Sequence, residues 1–100
     1  MRVVWTRIAR SHARAIHDYI AADSRQYALR LVDRITRKTE RLVRLPYLGA
    51  QVPEYGDPSV RELFDHPYRI LHRVRTDRLD VIAVIHARRQ LPDEPPDAGG

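Results

Sequence analysis

The chain contains no cysteine. That excludes disulfides and cysteine-based metal sites, and it fits a reducing cytoplasm, where the protein is expected. Long apolar runs are also missing. None approaches the length of a membrane span, and the opening residues, MRVVWTRIARS, hold no apolar signal core. No membrane contact is expected. There is no Gly-rich phosphate loop, no HExxH and no CxxC. The serines are Ser11, Ser24 and Ser59, and none has a nucleophile-elbow context. Lysine is nearly absent too, since Lys38 is the only one among 18 basic residues.

What remains is a basic chain of 100 residues, enough for one domain. Three of its 13 acids, Asp93, Glu94 and Asp97, lie near the C-terminus. Residues 1–92 therefore carry 18 cations against 10 acids, a balance of +8. Such a balance suggests an anionic partner, either nucleic acid or an acidic protein. Arginine's planar fork suits bidentate contact with phosphate or carboxylate. Genome base composition can favour arginine as well, so the enrichment has two readings.

Periodicity divides the chain. RVVW (residues 2–5) is β-branched and aromatic, and reads as a strand. Thr6 can cap a following helix in which Ile8, His12, Ile16, Tyr19 and Ile20 share a face. Asp23 and Ser24 interrupt the pattern, and Gln26 follows Asp23 at capping-box spacing. A second helix carries the stripe Ala28, Leu31, Val32, Ile35, Thr39, Leu42 and Val43, and Pro46 ends it. The short connection implies an antiparallel helical hairpin. PYLGAQVPEYGDPS reads as a loop.

The period then becomes two. VRELF alternates imperfectly. YRILHRVR places Tyr68, Ile70, His72 and Val74 on one face, with Arg69, Leu71, Arg73 and Arg75 on the other. LDVIAVIHA is apolar on both faces and reads as a central strand, with Leu79, Val81, Ala83 and Ile85 expected on one side. The predicted fold is α+β: an N-terminal strand, a helical hairpin, then a three-stranded antiparallel meander. The helices pack on one face of the sheet. The other face is expected to be bare and to display arginines. Residues 1–91 form the domain, and 92–100 read as a disordered tail.

Few groups suggest chemistry. His12 and His17 are five apart on a helix, a poor metal spacing, and read as surface or interface residues. His72 and His86 lie on strands that can be neighbours, but no third ligand is evident. No metal or other cofactor is expected. Arg61, Arg69, Arg73, Arg88 and Arg89 form the main basic group. It reads either as a grip on phosphates or as a solvated sheet edge.

The order of elements, with VVWT, IHDYIAADS, ALRLVDRI, LPYLGAQVPEYGDPSVREL, PYRILHRV and VIAVIHARR in sequence, resembles the RelE/ParE superfamily of type II toxins. The resemblance spans residues 3 to about 91 and is closer to the ParE branch. It implies a cognate antitoxin as partner, acidic and amphipathic. Its contacts are expected at Tyr19 and Tyr27 and at a sheet edge near Arg69 and Arg73. It also implies a target. ParE-like members inhibit DNA gyrase, whereas RelE-like members cut mRNA in the ribosome. Arg61, Arg69 and Arg88 match the region of RelE-type catalytic arginines, and Arg61, Arg88 and Arg89 are the candidates for target or nucleic-acid contact. The chain departs from the RelE pattern, because no tyrosine or histidine follows Arg89 and no lysine lies in the loop before Arg61. His86 and Glu54 are the remaining candidates for a base. Arginine stabilises charge but does not readily deprotonate. RNA cleavage needs an acid and a base, so a binding toxin is the favoured reading and a ribonuclease the alternative.

Overall fold

The computed structural model describes residues 1–96. Strand β1 (Arg2–Trp5) leads into α1 (Arg7–Ala21) and α2 (Arg25–Glu40), and α2 tightens into a 3₁₀ turn (Arg41–Val43). Strands β2 (Ala50–Gln51), β3 (Val60–Asp65), β4 (Tyr68–Val74) and β5 (Arg78–His86) follow. The sheet order is β1-β5-β4-β3-β2. β1 runs parallel to β5, and the remaining pairs are antiparallel. The expected order of strand, two helices and three-stranded meander is present. The two-residue β2 is an addition that the loop's Pro/Gly content concealed.

Each helix begins on a hydroxyl. Thr6 Oγ1 accepts from the Ala9 amide at 3.1 Å, and Ser24 Oγ accepts from the Tyr27 amide at 3.1 Å. Ser24, not Asp23, caps α2. The Asp23 and Ser24 amides both still bond back to the Ile20 carbonyl, which closes α1. The buried residues of α2 are Ala28, Leu31, Ile35 and Thr39. Val32 is half-buried and Val43 is exposed. On α1 the expected stripe is shifted. Ala9 is fully buried, Ile16 and Ile20 pack on the core, and Tyr19 is 81% exposed. Tyr19 lies roughly 80–100° round the helix from the line through Ala9, Ile16 and Ile20, so it cannot share their contact.

The helices pack Ala9, Leu31, Ile35 and Leu42 against Ile70, Val74, Leu79, Val81 and Val84. Each fully buried large side chain in such a layer stabilises by about 1.5–3 kcal/mol. The opposite face is not bare, contrary to expectation. Leu71, Ile82, Ala83 and Ile85 are covered by Val52 and Tyr55 from the loop and by Leu91 beyond β5. The Tyr55 hydroxyl also donates to the Pro92 carbonyl at 2.8 Å. Loop and chain end thus take the place of a third layer. Residues 97–100 of the expected tail lie outside the described residues.

The faces of β5 differ from simple alternation. Leu71 pairs with Ala83 while His72 pairs with Val81, so Ile82 is an extra residue, a β-bulge. Leu79, Val81 and Val84 face the helices, whereas Ala83 and Ile85 face the loop. The bulge inverts the parity expected for the second half of the strand. β1 reaches only Val81, where the Thr6 amide donates to the Val81 carbonyl. Past that point His12 of α1 serves as β5's neighbour, its Nδ1 accepting the Val84 amide at 3.2 Å.

Among the described residues no helix is long and apolar enough to cross a membrane.

Candidate interaction surfaces

The arginines of the meander do not converge. Val60 faces the loop-covered side while Leu63 packs towards the helices, so alternation puts Arg61 on the helical side of β3. Arg61 donates through Nε to the Gly49 carbonyl at 2.8 Å, and its guanidinium lies 5.4 Å from the centre of the Tyr47 ring. Arg69 points to the opposite face and bonds Glu62 at 2.6 Å and Glu54 at 2.6 Å. Arg88 and Arg89 follow β5, whose last residue pairs with Tyr68, whereas Arg61 pairs with His72. Four residues of β4 separate those levels, roughly 13 Å at about 3.3 Å per residue. Arg61, Arg69 and Arg88 therefore share no common centre.

The proposed bases are committed elsewhere. Hydrogen bonds from Arg69 hold the Glu54 carboxyl down to about 2. Such a carboxylate is fully ionised and a weak base near neutrality. His86 Nδ1 accepts the Arg88 amide at 3.1 Å, and its ring meets Tyr68 edge-on at 5.6 Å. His72 and His86 lie at the two levels of the sheet just described, too far apart to share an ion. No group of three or more metal-ligating side chains occurs among the described residues.

Charge is distributed opposite to expectation. On the loop-covered face Arg69 meets Glu54 and Glu62, Arg73 meets Asp57, and Arg75 and Arg78 both meet Asp80. Asp77 lies beside Arg78. Four arginines there face five carboxylates. Of the 18 cations and 10 acids in residues 1–92, 14 cations and five acids remain. They sit on the helical layer, the α2–β2 connection and the ends of the folded segment. Arg69 and Arg73 are also not at a sheet edge, because β4 lies between β3 and β5.

A groove of about 400 Å³ runs between the helices beside β1, lined by Trp5, Arg10, Ala13, Ile16, Leu31, Val32, Ile35 and Thr36. Ala13, small, lines it from α1, opposite Leu31, Val32, Ile35 and Thr36 of α2. Arg10 donates to the Trp5 carbonyl at 2.8 Å and places a cation at its margin. Tyr19 and Tyr27 do not line it. They group instead with Tyr68, whose hydroxyl is pushed up by burial and then by Tyr27 and Tyr19. The sequence reading missed the groove's Ala13 and Val32 pairing and the exposed Leu45, Tyr47 and Leu48. For Tyr47 and Leu48 a signal was present: two large apolar side chains inside a segment read as loop.

The chain matches the family model described as ParE toxin of type II toxin-antitoxin system, parDE, over residues 3–91. A solved structure described as the chromosomal ParDE TA system from P. aeruginosa is similar at 27% identity and a TM-score of 0.72. The match covers 86% of this chain and 95% of that one. No curated protein matches the sequence. A basic chain with this strand–hairpin–meander order, matched almost from end to end of its folded segment, belongs to the ParE toxin family of type II toxin–antitoxin systems.

Proposed function

We propose that this ParE-family toxin arrests bacterial growth by binding DNA gyrase in the cytoplasm, and that a cognate antitoxin neutralises it by occupying the groove between α1 and α2. The observation that carries the gyrase reading over ribonuclease action is the divergence of the arginines. Arg61 and Arg69 project from opposite faces of the sheet, and the charge of Arg69 is met by Glu54 and Glu62. A phosphoryl-transfer site needs its charge stabilisers and its base around one phosphate. Binding needs only complementary surface.

The antitoxin reading rests on the groove's apolar lining and on the cations of the helical layer. An amphipathic acidic segment fits both, with apolar anchors supplying most of the affinity. Tyr19 and Tyr27 stand at the far end of the hairpin, where a segment leaving the groove would pass them.

The test is induced expression without antitoxin, with message integrity read by primer extension and gyrase supercoiling assayed with purified toxin. The expected result is intact message and inhibited supercoiling. Codon-linked cuts in translated message would instead establish the ribonuclease, and Arg61 and Arg88 would be the residues to substitute.

A further inference from the structure

The α2–β2 connection carries a second surface, separate from the groove. Val43, Leu45, Tyr47 and Leu48 are 43%, 52%, 59% and 40% exposed, and Met1 beside them is 41% exposed. Half of the large apolar side chains exposed among the described residues fall in this one place. None of them lines the groove between the helices. Leu42, immediately before, is fully buried and already satisfies the core at this end of α2. The exposed residues are thus surplus to the fold, and a contiguous apolar patch on a small protein marks a contact surface.

The patch is built rigidly. The Met1 ammonium donates to the Val43 carbonyl at 2.8 Å. The Leu45 amide bonds the Arg41 carbonyl and the Leu48 amide bonds the Leu45 carbonyl. Gly49 then passes so close to Glu62 and His72 that a Cβ there would collide with the Glu62 carbonyl. Arg61 clamps the Gly49 carbonyl from below while its guanidinium lies over Tyr47. A surface fixed before contact loses little entropy on binding.

Its rim has one sign of charge. Arg61 lies over Tyr47, the exposed Arg41 and Arg44 flank Val43 and Leu45 along the chain, and no acid occurs between Glu40 and Glu54. We propose that this apolar, arginine-rimmed patch centred on Tyr47 is the face through which the toxin engages its target, an acidic protein surface that offers an apolar knob. The proposal rests on the reading of the chain as a growth-arresting binder of gyrase. Nucleic acid fits less well. Only one ring is available for stacking, the aliphatic side chains have no counterpart on a phosphate backbone, and two of Arg61's nitrogens are already bonded to the Gly49 and Pro58 carbonyls. Tyrosine and arginine around a water-excluding centre are the usual composition of protein-binding hot spots.

The test uses full-length Tyr47→Ala and the double variant Leu45→Glu/Leu48→Glu, with thermal unfolding as a check that exposed positions leave the fold intact. Three properties are measured: inhibition of gyrase supercoiling, growth arrest on expression without antitoxin, and affinity for the antitoxin. Tyr47→Ala is expected to raise the half-inhibitory concentration at least tenfold, and the double variant to abolish inhibition and arrest. Antitoxin affinity is expected to stay within twofold for both. Variants that inhibit and arrest like the wild type overturn the proposal, as does joint loss of target and antitoxin binding. If the wild type arrests growth without touching gyrase, the gyrase reading fails alone, and the patch is judged by whether Tyr47→Ala relieves arrest. If the wild type arrests nothing, both fall. Binding of a labelled oligonucleotide that disappears in Tyr47→Ala would make the surface a nucleic-acid site and overturn the assignment to a protein partner.

Discussion

Neither ring nitrogen of His72 meets a hydrogen-bond partner, although the residue is fully enclosed between β3, β5 and Gly49. Burial pushes its pKa down to about 4; the Ile70 backbone nearby opposes this, though too poorly placed to complete a hydrogen bond, and Arg61 acts with burial. The neutral ring is the form the fold accepts. Because the folded value lies below the unfolded one near 6.5, stability is complete above that value and is lost as pH falls towards 4. Between pH 8 and pH 5 the loss from this residue comes to about 2 kcal/mol. His72→Leu is expected to remove that acid-side loss and to be neutral or stabilising at pH 8, since it replaces an unpaired polar group with an apolar one. Urea unfolding of both proteins at the two pH values measures the difference. An equal drop in both would show that the ring already finds a partner. The period-two pattern placed His72 on the helix-facing side of β4 correctly. It could not show that no donor or acceptor waits there, because that depends on what the neighbouring elements bring.

At the scale of elements, one carboxylate joins the helical hairpin to the sheet. Asp65 ends β3, is buried, and meets Arg34 at 3.2 Å and Lys38 at 2.9 Å, two side chains one turn apart on α2. Burial pulls its carboxyl up, but the two cations outweigh that and hold it below the usual range. Both cations are partly exposed, which weakens the pair, so Asp65→Asn is expected to cost about 1–2 kcal/mol. The depressed value means that this contribution is present above the ordinary carboxyl pKa and is lost as pH falls through the folded value. The gap between wild type and Asp65→Asn should therefore close in strong acid. Unfolding curves taken from pH 7 downwards would reveal it, and a gap independent of pH would remove the ion pair from the account. The two caps and the existence of each main element were legible in the sequence. The bulge at Ile82 was not, because an apolar residue satisfies either face of a strand buried on both sides.

For the molecule as a whole, the distribution of charge matters more than its sum. The loop-covered face is balanced or slightly acidic, and the excess cations lie on the helical layer and the α2–β2 connection. An acidic antitoxin in the groove would meet that field. Raising salt from about 0.1 to 0.5 M is expected to weaken the toxin–antitoxin complex roughly tenfold, mainly through slower association, because exposed charges are screened beyond a few ångströms. Surface plasmon resonance across that range would measure it, and an affinity unmoved by salt would leave the apolar groove as the sole determinant. Net charge alone suggested an anionic partner. It could not say which cations stay unmatched, and Arg69 and Arg73 are met by carboxylates from β3 and the preceding loop.

The sequence by itself determined the order of elements, most of the face that α2 buries, the caps that start the helices and the family the chain resembles. Those properties are local, written in spacing and in side chains acting within a turn or a strand of themselves. Tertiary structure decided which charges are spent and which remain. Arg69 and Glu54 lie 15 residues apart and bond only because β4 passes beneath the loop. It also decided where apolar surface stays open, since exposure at Tyr47 and enclosure at Leu42 depend on what the rest of the chain has room to cover.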